Sequence, residues 1–300
     1  MFKHLLVPLD GSALAETALP AAVSLAARNN AVITLLHIIE RDAPSTVHGE
    51  RHLRTADEAK TYLDDLARHA FPPGMKVSCH VHEAEMRDVA RGIADHLLEL
   101  HHDTVVMTSH GHSGLKAMLF GRIAEQVVAL GSMPILLVRP KEGAKESFSC
   151  RRILIPHDGV PAHEPGLAAG MQLATLCGAE TKIVMVIPTR GTLGGAKSFT
   201  GTALPLATKA VLELAREDAI EHIQHHAAEM RQRGIVAEAE VLRGNPARQI
   251  INACKSFGAD VVVLGTHGHV GTTAFWQGST APRVAARADC SVLFVPITAT

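Results

Sequence analysis

The chain repeats one pattern of residues twice along its length. Three segments of the first half recur, in the same order, in the second half: LLVPLDGS at Leu5–Ser12 as ILIPHDGV at Ile153–Val160, VVMTSHGHSG at Val105–Gly114 as VVLGTHGHVG at Val262–Gly271, and MPILLVRP at Met133–Pro140 as CSVLFVPI at Cys290–Ile297. Each copy must therefore form the same arrangement of strands and helices. Since 300 residues are enough for two domains of ordinary size, we expect two similar domains in tandem.

Within each copy, short apolar runs alternate with helical patterns. The strands predicted for the first copy are Leu5–Pro8, Val32–Ile39, Lys76–Val81, Thr104–Met107 and Ile135–Val138. Between these runs, apolar residues recur at helical spacing. Ser12 is a candidate N-cap of the first helix, and Pro20 is expected to kink that helix. Strands that alternate with helices need crossover connections, which predict a parallel α/β sheet with helices on both faces.

The domain boundaries follow from the ends of the two copies. We predict a first domain at residues 1–140, a linker at 141–150 and a second domain at 151–300. The second copy is the longer one, and its Gly-rich stretch Thr189–Thr202 is predicted to hold the extra residues as a loop. In that copy, Asn245 and Pro246 are typical of a helix N-cap and first turn.

Composition and charge argue against several classes of protein. The formal net charge of −1 lacks the basic excess that binding to nucleic acid requires, so we expect no nucleic-acid partner. We find no apolar run long enough for a membrane span and no secretory signal, so we expect no membrane partner. The 5 cysteines are widely separated and include no Cys-x-x-Cys pair, which is typical of a reduced, cytoplasmic protein.

A glycine-rich segment of the second copy has the features of an anion site. The apolar run Val261–Leu264 predicts a buried strand, which Gly265 and Gly268 follow. Gly278 and Ser279 then precede a helical pattern, where free N–H groups and a hydroxyl favour a bound anion. The spacing, Gly-x2-Gly-x9-Gly-Ser, is neither a Walker A loop nor the Rossmann fingerprint. The residues alone therefore predict a nucleotide or another anion.

With these segments in view, the whole chain resembles a tandem universal stress protein. The resemblance is carried by the Pro-x-Asp-Gly segment after the first strand, the His-Gly-His-x-Gly segment after the fourth strand and the closing strand of each copy. It implies an α/β fold with two five-stranded, mainly parallel, Rossmann-like sheets of the adenine nucleotide alpha hydrolase-like type. It also implies an internal pseudo-dimer with paired fifth strands, and homo-oligomers, in particular dimers of tandem chains.

The glycine spacing of the second repeat resembles the signature of the ATP-binding branch of that family. The resemblance implies ATP, with Mg²⁺, at a site lined by Pro156, His157, Asp158, Val186, Leu264, Gly265, His267, Gly268, Gly278, Ser279 and Thr280. It places Asp158 at the adenine or ribose and the backbone of Val186 at the adenine. Asp158 and Gly159 are also an ordinary turn pair, and Ser279 is also a candidate N-cap.

The first repeat departs from this pattern. Its corresponding residues are Leu9, Asp10, Thr108, His110, Gly111, Gly121 and Arg122. Thr108 replaces the first glycine, and a β-branched residue tolerates positive φ poorly. Arg122 replaces the hydroxyl residue, and it either grips a phosphate or fills the emptied pocket by pairing with Asp10. We predict a degenerate first site and one nucleotide per chain.

Three functions remain open from the sequence. The resemblance favours a stress-response protein in which bound ATP acts as a conformational or oligomerisation switch. A slow ATPase or nucleotide hydrolase would need a positioned base near the phosphate, for which His267 and Asp158 are the obvious candidates, but neither belongs to an evident dyad. A scaffold that acts through protein partners, without a nucleotide, is the third.

The chain is also rich in histidine, with 19 residues. His222 and His226 are spaced so that they could share a metal ion on one face of a helix. No cysteine or carboxylate completes a recognised ligand spacing, so we assign no metal site and expect most histidines on the surface. Zinc at one of the histidine clusters stays open as an alternative.

Overall fold

The computed structural model describes residues 1–109, 121–130, 133–140, 148–192, 205–267 and 280–297. These residues divide into two compact units. The described residues within Met1–Ser149, Thr266–Gln277 and Ser291–Pro296 form unit 1, and those within Cys150–Gly265, Gly278–Cys290 and Ile297–Thr300 form unit 2.

Unit 1 is built on a parallel sheet. Its strands are β1 (His4–Pro8), β2 (Val32–Glu40), β5 (Lys76–Met86), β6 (Thr104–Thr108) and β7 (Ile135–Val138), in the order β5-β2-β1-β6-β7. A separate antiparallel hairpin contains β3 (Thr46–Val47) and β4 (Glu50–Arg51). The strand β12 (Ser291–Ile297) pairs antiparallel with β7, with Val292 opposite Leu137. The expected pairing of the two closing strands is therefore present.

Five helices of unit 1 connect these strands: α1 (Ala13–Glu16), α2 (Leu19–Asn29), α3 (Ala56–His69), α4 (Val89–Glu99) and α5 (Arg122–Leu130). The predicted N-cap is confirmed, because the side chain of Ser12 accepts a hydrogen bond from the N–H of Ala15. The predicted kink at Pro20 is wrong. Pro20 lies in the first turn of α2, where a missing N–H costs little, and the chain forms two helices here.

Unit 2 repeats the same alternation. Its strands β8 (Arg152–Pro156), β9 (Glu180–Ile187), β10 (Ala237–Arg243) and β11 (Val261–His267) pair in parallel in the order β10-β9-β8-β11. Its helices are α6 (Glu164–Cys177), α7 (Pro205–Gln232), α8 (Pro246–Phe257) and α9 (Thr280–Arg287). Asn245 caps α8 through the N–H of Arg248, as predicted. The predicted α/β fold with a mainly parallel sheet is confirmed.

The main difference in length between the units lies in one helix. Helix α7 has 28 residues, whereas its counterpart α3 has 14. The prediction that a loop at Thr189–Thr202 accounts for the extra residues is therefore wrong, although residues 193–202 of that stretch lie outside the described residues. Within the added length, Glu213 pairs with Arg243 at the end of β10 at 2.9 Å.

Both cores are aliphatic. Leu5, Leu6 and Val7 of β1 are completely buried, as are Ile153, Leu154 and Ile155 of β8. These strands are covered on both faces, which explains why they read as continuous apolar runs in the sequence. In the part of the chain that the structure describes, no helix combines the length and the apolar character needed to cross a membrane.

Candidate functional site

Each unit reverses its strand order beside its first strand. In unit 1 the chain passes from β1 to β2 on one side and to β6 on the other, and in unit 2 from β8 to β9 and to β11. Ligands of open parallel sheets bind at such a switch point, beyond the carboxyl ends of the strands. The predicted site residues of both repeats follow these strand ends.

Unit 1 has a cavity of about 520 Å³ at its switch point. Ligand sites commonly have volumes of about 300–1,000 Å³, so this space is large enough for a small molecule. Four of the residues predicted for the first repeat line it, namely Leu9, Asp10, Thr108 and Arg122. Gly121 precedes Arg122 with a φ of 92°, a conformation that favours glycine. His110 and Gly111 lie outside the described residues.

Asp10 is held in place by its own loop. Its Oδ1 accepts hydrogen bonds from the backbone N–H of Ser12 at 2.9 Å and from the Ser12 hydroxyl at 2.6 Å. The Nε2 of His48 lies 3.6 Å from its other oxygen. Arg122 is exposed, and among the described residues no ion pair joins it to Asp10. The alternative that Arg122 fills the pocket by pairing with Asp10 is therefore wrong.

The hairpin of β3 and β4 borders this cavity and was not predicted. His48 and Gly49 form its two-residue turn with φ of 51° and 84°, the conformation of a type I′ turn. The turn brings His48 toward Asp10. Beside it, a carboxylate oxygen of Glu50 accepts the N–H of Ala13 at 2.9 Å, at the start of α1. A histidine with positive φ is uncommon, so the residues of this turn did not predict a hairpin.

Thr108 fits its position without backbone strain. It is not among the described residues with positive φ, so the steric argument for a degenerate site is wrong in that respect. Its hydroxyl lies 2.9 Å from the hydroxyl of Thr17 and 3.3 Å from the carbonyl oxygen of Ala15. Thr108 therefore ties the end of β6 to the first helical segment instead of leaving an open backbone.

His37 lies in the wall of the same cavity. Its Nδ1–H donates to the carbonyl of Leu9 at 2.8 Å, which fixes the proton of the neutral ring on that nitrogen. Burial lowers the pKa of His37 below its ordinary value, although the bond to Leu9 opposes the shift. His37 is therefore a neutral side chain that orients the loop before Asp10.

In unit 2, Asp158 has a histidine partner. The Nδ1 of His163 lies 2.7 Å and 2.8 Å from the two carboxylate oxygens, and the N–H of Val160 donates to Oδ1 at 3.1 Å. Gly159 has a φ of 79°, as expected for an Asp-Gly turn. Asp158 is half exposed, so the loop positions it without burying it.

Gly265 is closely packed against a neighbouring side chain. A Cβ at this position would lie 2.4 Å from Cδ1 of Ile297, far inside contact distance. On the other side, a Cβ on Gly166 of α6 would be 3.7 Å from the backbone nitrogen of Gly265. Gly265 has no positive φ, so a side chain at this position would conflict with the present position of the Ile297 side chain rather than with the backbone conformation.

The other residues predicted for the second site follow the same strand ends. Pro156 ends β8, Val186 lies near the end of β9, and Leu264 is buried in β11. His267 ends β11, and Thr280 begins α9. Gly268, Gly278 and Ser279 lie outside the described residues, as does the side chain of His267. The described part of this site is thus its strand ends and the first residue of α9.

His157 adds a feature that sequence spacing missed. It follows β8 and is 6% exposed, and its Nδ1 lies 3.3 Å from the Nε2 of His222 on α7. Burial lowers the pKa of His157, and His222 contributes to this shift while Glu164 opposes it. Burial likewise lowers the pKa of His226. His222 and His226 are distant in sequence from His157 and Glu164, so only the fold brings the four residues together.

Two stretches of the chain match the model of the universal stress protein family, residues 1–139 and residues 149–296. A universal stress protein of Mycolicibacterium smegmatis is 27% identical over 307 residues, which cover 97% of this chain and 96% of the relative. A universal stress protein of Bacillus subtilis is 29% identical over 151 residues, which cover 46% of this chain and 100% of the relative. The relatives thus include both single and tandem forms.

Solved structures are similar along nearly the whole chain. A functionally unknown protein from Pseudomonas aeruginosa has a TM-score of 0.67 at 17% identity and covers 98% of this chain and 92% of its own. A universal stress protein from Archaeoglobus fulgidus has a TM-score of 0.64 at 15% identity, with coverage of 99% and 97%. At these identities the likeness shows the fold, here in a two-repeat arrangement.

Proposed function

Because the chain belongs to the universal stress protein family, we propose that it is a stress-response protein that binds ATP, or a related adenine nucleotide, in its second repeat. The bound nucleotide would bias the conformation or the oligomeric state of the chain. In this proposal the protein works in the cytoplasm as a homo-oligomer, and Mg²⁺ accompanies the phosphates.

The observation that carries this proposal is the cavity of about 520 Å³ at the switch point of unit 1. Asp10 and Ile38 line it. Asp10 is the counterpart of Asp158 in the repeated Asp-Gly segment, and the strand registers make Ile38 the counterpart of Val186. The shared fold therefore favours a ligand-sized space at the same position of the second repeat. There, the sequence adds the Gly-x2-Gly-x9-Gly-Ser spacing that the first repeat lacks.

The chemistry of the second site fits a phosphate chain. Thr280 is the first residue of α9, so its hydroxyl and the N–H groups of Thr280, Ala281 and Arg283 are candidate donors to an anion, whereas Pro282 in the same turn has no N–H. One helix terminus contributes about 0.3–1 kcal/mol per charge at an exposed site, so several donors must act together. Gly278 and Ser279 supply further donors in the sequence. A polyphosphate that meets all of them would be held more firmly than a single phosphate.

The test is to identify and count the nucleotide that the full-length chain binds. Nucleotide would be released from freshly purified protein and quantified per chain, and binding of ATP with Mg²⁺ would be measured by equilibrium dialysis. The variant Gly278→Asp places a carboxylate where a phosphate should lie. Gly121→Asp makes the same change at the equivalent position of the first repeat and is the matched control. Thermal melts would check that both variants are folded.

We expect about one adenine nucleotide per chain in the wild type and in Gly121→Asp, and little or none in Gly278→Asp, because like charges at close range exclude the phosphate. Binding of two nucleotides per chain, or loss in the control variant alone, would contradict the assignment to the second repeat. If folded wild-type protein binds no adenine nucleotide, the proposal as a whole is wrong.

A further inference from the structure

Three histidines surround one glutamate in unit 2. We call His157, Glu164, His222 and His226 the Glu164 cluster. The Oε1 of Glu164 lies 3.8 Å from the Nε2 of His157 and 3.5 Å from the Nε2 of His226. His222 is 3.3 Å from His157, measured from Nε2 to Nδ1. The rings also contact one another, with centroids 4.7 Å apart for His222 and His226 and 5.2 Å for His157 and His222.

Several nitrogens of this cluster are buried without a hydrogen bond. Within the described residues, the Nε2 of His157 and both ring nitrogens of His226 have no hydrogen-bond partner. The backbone N–H of Gly159 donates to the Nδ1 of His157 at 3.0 Å, so a neutral ring carries its proton on the unpartnered Nε2. A buried polar group left without a partner costs about 1–3 kcal/mol, so three such nitrogens in one place need an explanation.

We propose that the Glu164 cluster binds a divalent transition-metal ion such as Zn²⁺. Ligand atoms of His157, Glu164 and His222 all lie within 4.8 Å of one another, and His226 is the candidate fourth ligand. Tetrahedral zinc with bonds of about 2.0–2.1 Å holds its nitrogen ligands about 3.3 Å apart. The Nδ1 of His157 and the Nε2 of His222 are already at this spacing, so ligation through that Nδ1 would replace the hydrogen bond from the N–H of Gly159. Three imidazoles and one carboxylate are the ligand types that suit this ion.

Binding of the metal ion would require only small movements of the ligand side chains. Glu164 is 42% exposed in its side chain, so its carboxylate can approach the histidines without repacking the core. The ring of His157 can turn about χ2, a torsion with a broad energy well, to direct one nitrogen at the ion. Glu164 begins α6 and the other two histidines lie one turn apart on α7, so the ligands come from well-formed helices. The ion would link α6 and α7 to the end of β8.

The first repeat shows that the fold itself does not require this cluster. Glu16 is the counterpart of Glu164, since each lies six residues after the Asp of the Asp-Gly turn. In unit 1, however, the hydroxyl of Tyr62 on α3 donates to Glu16 at 3.0 Å. Leu9 stands where unit 2 has His157. The same glutamate is thus satisfied by one phenol in unit 1 and faces three histidines in unit 2.

The proposal is tested with the full-length chain carrying no histidine tag. Protein stripped by a chelator would be titrated with Zn²⁺ against a chromophoric competitor, and with Co²⁺, whose visible absorption reports tetrahedral coordination. The test variants are Glu164→Gln and His222→Gln. The matched control is His225→Gln, which changes an exposed histidine one residue from His226. His80→Gln is a second control, because His80 contacts His96 in a separate histidine pair of unit 1.

We expect one Zn²⁺ per chain and a tetrahedral Co²⁺ spectrum for the wild type and both controls. Each test variant should bind at least about tenfold more weakly, since loss of even an outer-shell partner costs about 10–100-fold in affinity. Zn²⁺ should also raise the Tm of the wild type more than that of either test variant. Because melts in chelator report folding without the ion, a variant that merely misfolds is recognised there.

Three results would overturn the proposal. The first is that the stripped wild type binds no stoichiometric Zn²⁺. The second is that Glu164→Gln and His222→Gln, folded in chelator, keep wild-type affinity. The third is that His80→Gln or His225→Gln loses the ion while the test variants retain it, which would place the metal elsewhere. None of these results depends on nucleotide binding, so the metal site and the proposed function succeed or fail separately.

Discussion

The two units place an aspartate at equivalent points and give it different partners. In unit 1, Asp10 is bound by its own loop and lies 3.6 Å from His48, whereas in unit 2 Asp158 lies 2.7 Å from His163. The Asp-Gly turn after the first strand is shared, so the local chemistry is set by the histidine beside the aspartate, which is His48 of the hairpin in unit 1 and His163 of the following residues in unit 2. A repeat can therefore change its ligand without changing its sheet.

The end of the fourth strand differs for a packing reason. Unit 1 has Thr108, whose hydroxyl contacts Thr17, while unit 2 has Gly265, which leaves room for Ile297. The glycine of the nucleotide signature thus has a structural role in addition to the proposed role in binding. Sequence comparison cannot separate these two roles, whereas variants at the two positions can.

The largest effect that we predict comes from restoring the signature in the first repeat. The variant Thr108→Gly with Arg122→Ser should raise bound ATP from about one to about two per chain. Unit 1 already has the cavity and Asp10, so the two substitutions supply the missing glycine and hydroxyl at its edge. Equilibrium dialysis with ATP and Mg²⁺ would measure the change. When the same two substitutions are added to the Gly278→Asp variant, binding of about one ATP per chain should return.

Two outcomes would break the comparison on which this prediction rests. The first outcome is that unit 1 of the wild type already binds ATP. Arg122 would then contact the phosphate, and the first repeat would not be a degenerate site. The second outcome is that the folded double variant binds no more ATP than the wild type. The difference in ATP binding between the two repeats would then depend on other residues of the cavity wall. Thr108→Gly alone controls for the lost contact to Thr17.

The next effect concerns stability. Gly265→Ala should lower the free energy of unfolding of unit 2 by about 1–3 kcal/mol, the usual cost of overpacking a filled site. The new methyl would lie against Cδ1 of Ile297, and Ile297→Val removes that atom. The double variant should therefore be more stable than the sum of the two single changes predicts. Denaturant melts of the four proteins measure this coupling.

If Gly265→Ala is as stable as the wild type, and Ile297→Val has no coupling to it, Ile297 does not constrain the position. The glycine would then need another explanation, and a role in ligand binding would be the first to examine. Comparing ATP binding in Gly265→Ala with that in the double variant separates the two roles, because Ile297→Val relieves only the packing.

Local patterns predicted the fold well. The buried strand at Ile153–Ile155 and the cap at Asn245 were predictable because they depend on neighbouring residues. The Glu164 cluster was not, because His157 and His222 are brought together only by the packing of α7 over the sheet end. Pro20 was misread because a proline in a first turn and one in a helix interior look alike until the helix start is known.

The smallest effect is a pH dependence that belongs to unit 1. His37 is buried there, whereas the sheet register places Met185 at the equivalent position of unit 2. Burial lowers the pKa of His37, so protonation favours the unfolded chain, where the pKa is about 6.5. Its contribution to stability is complete above that pH and is lost as the pH falls below it toward the lowered folded value.

The variant His37→Asn tests this contribution, because an asparagine amide can still donate to the carbonyl of Leu9 but does not titrate. Between pH 7 and pH 5 the wild type should lose up to about 1.4 kcal/mol per pH unit more than the variant. Hydrogen exchange of the β2 amides would follow unit 1 specifically. Equal slopes for the two proteins would mean that His37 takes up a proton in the folded state as easily as in the unfolded chain, and that its burial does not distinguish the units.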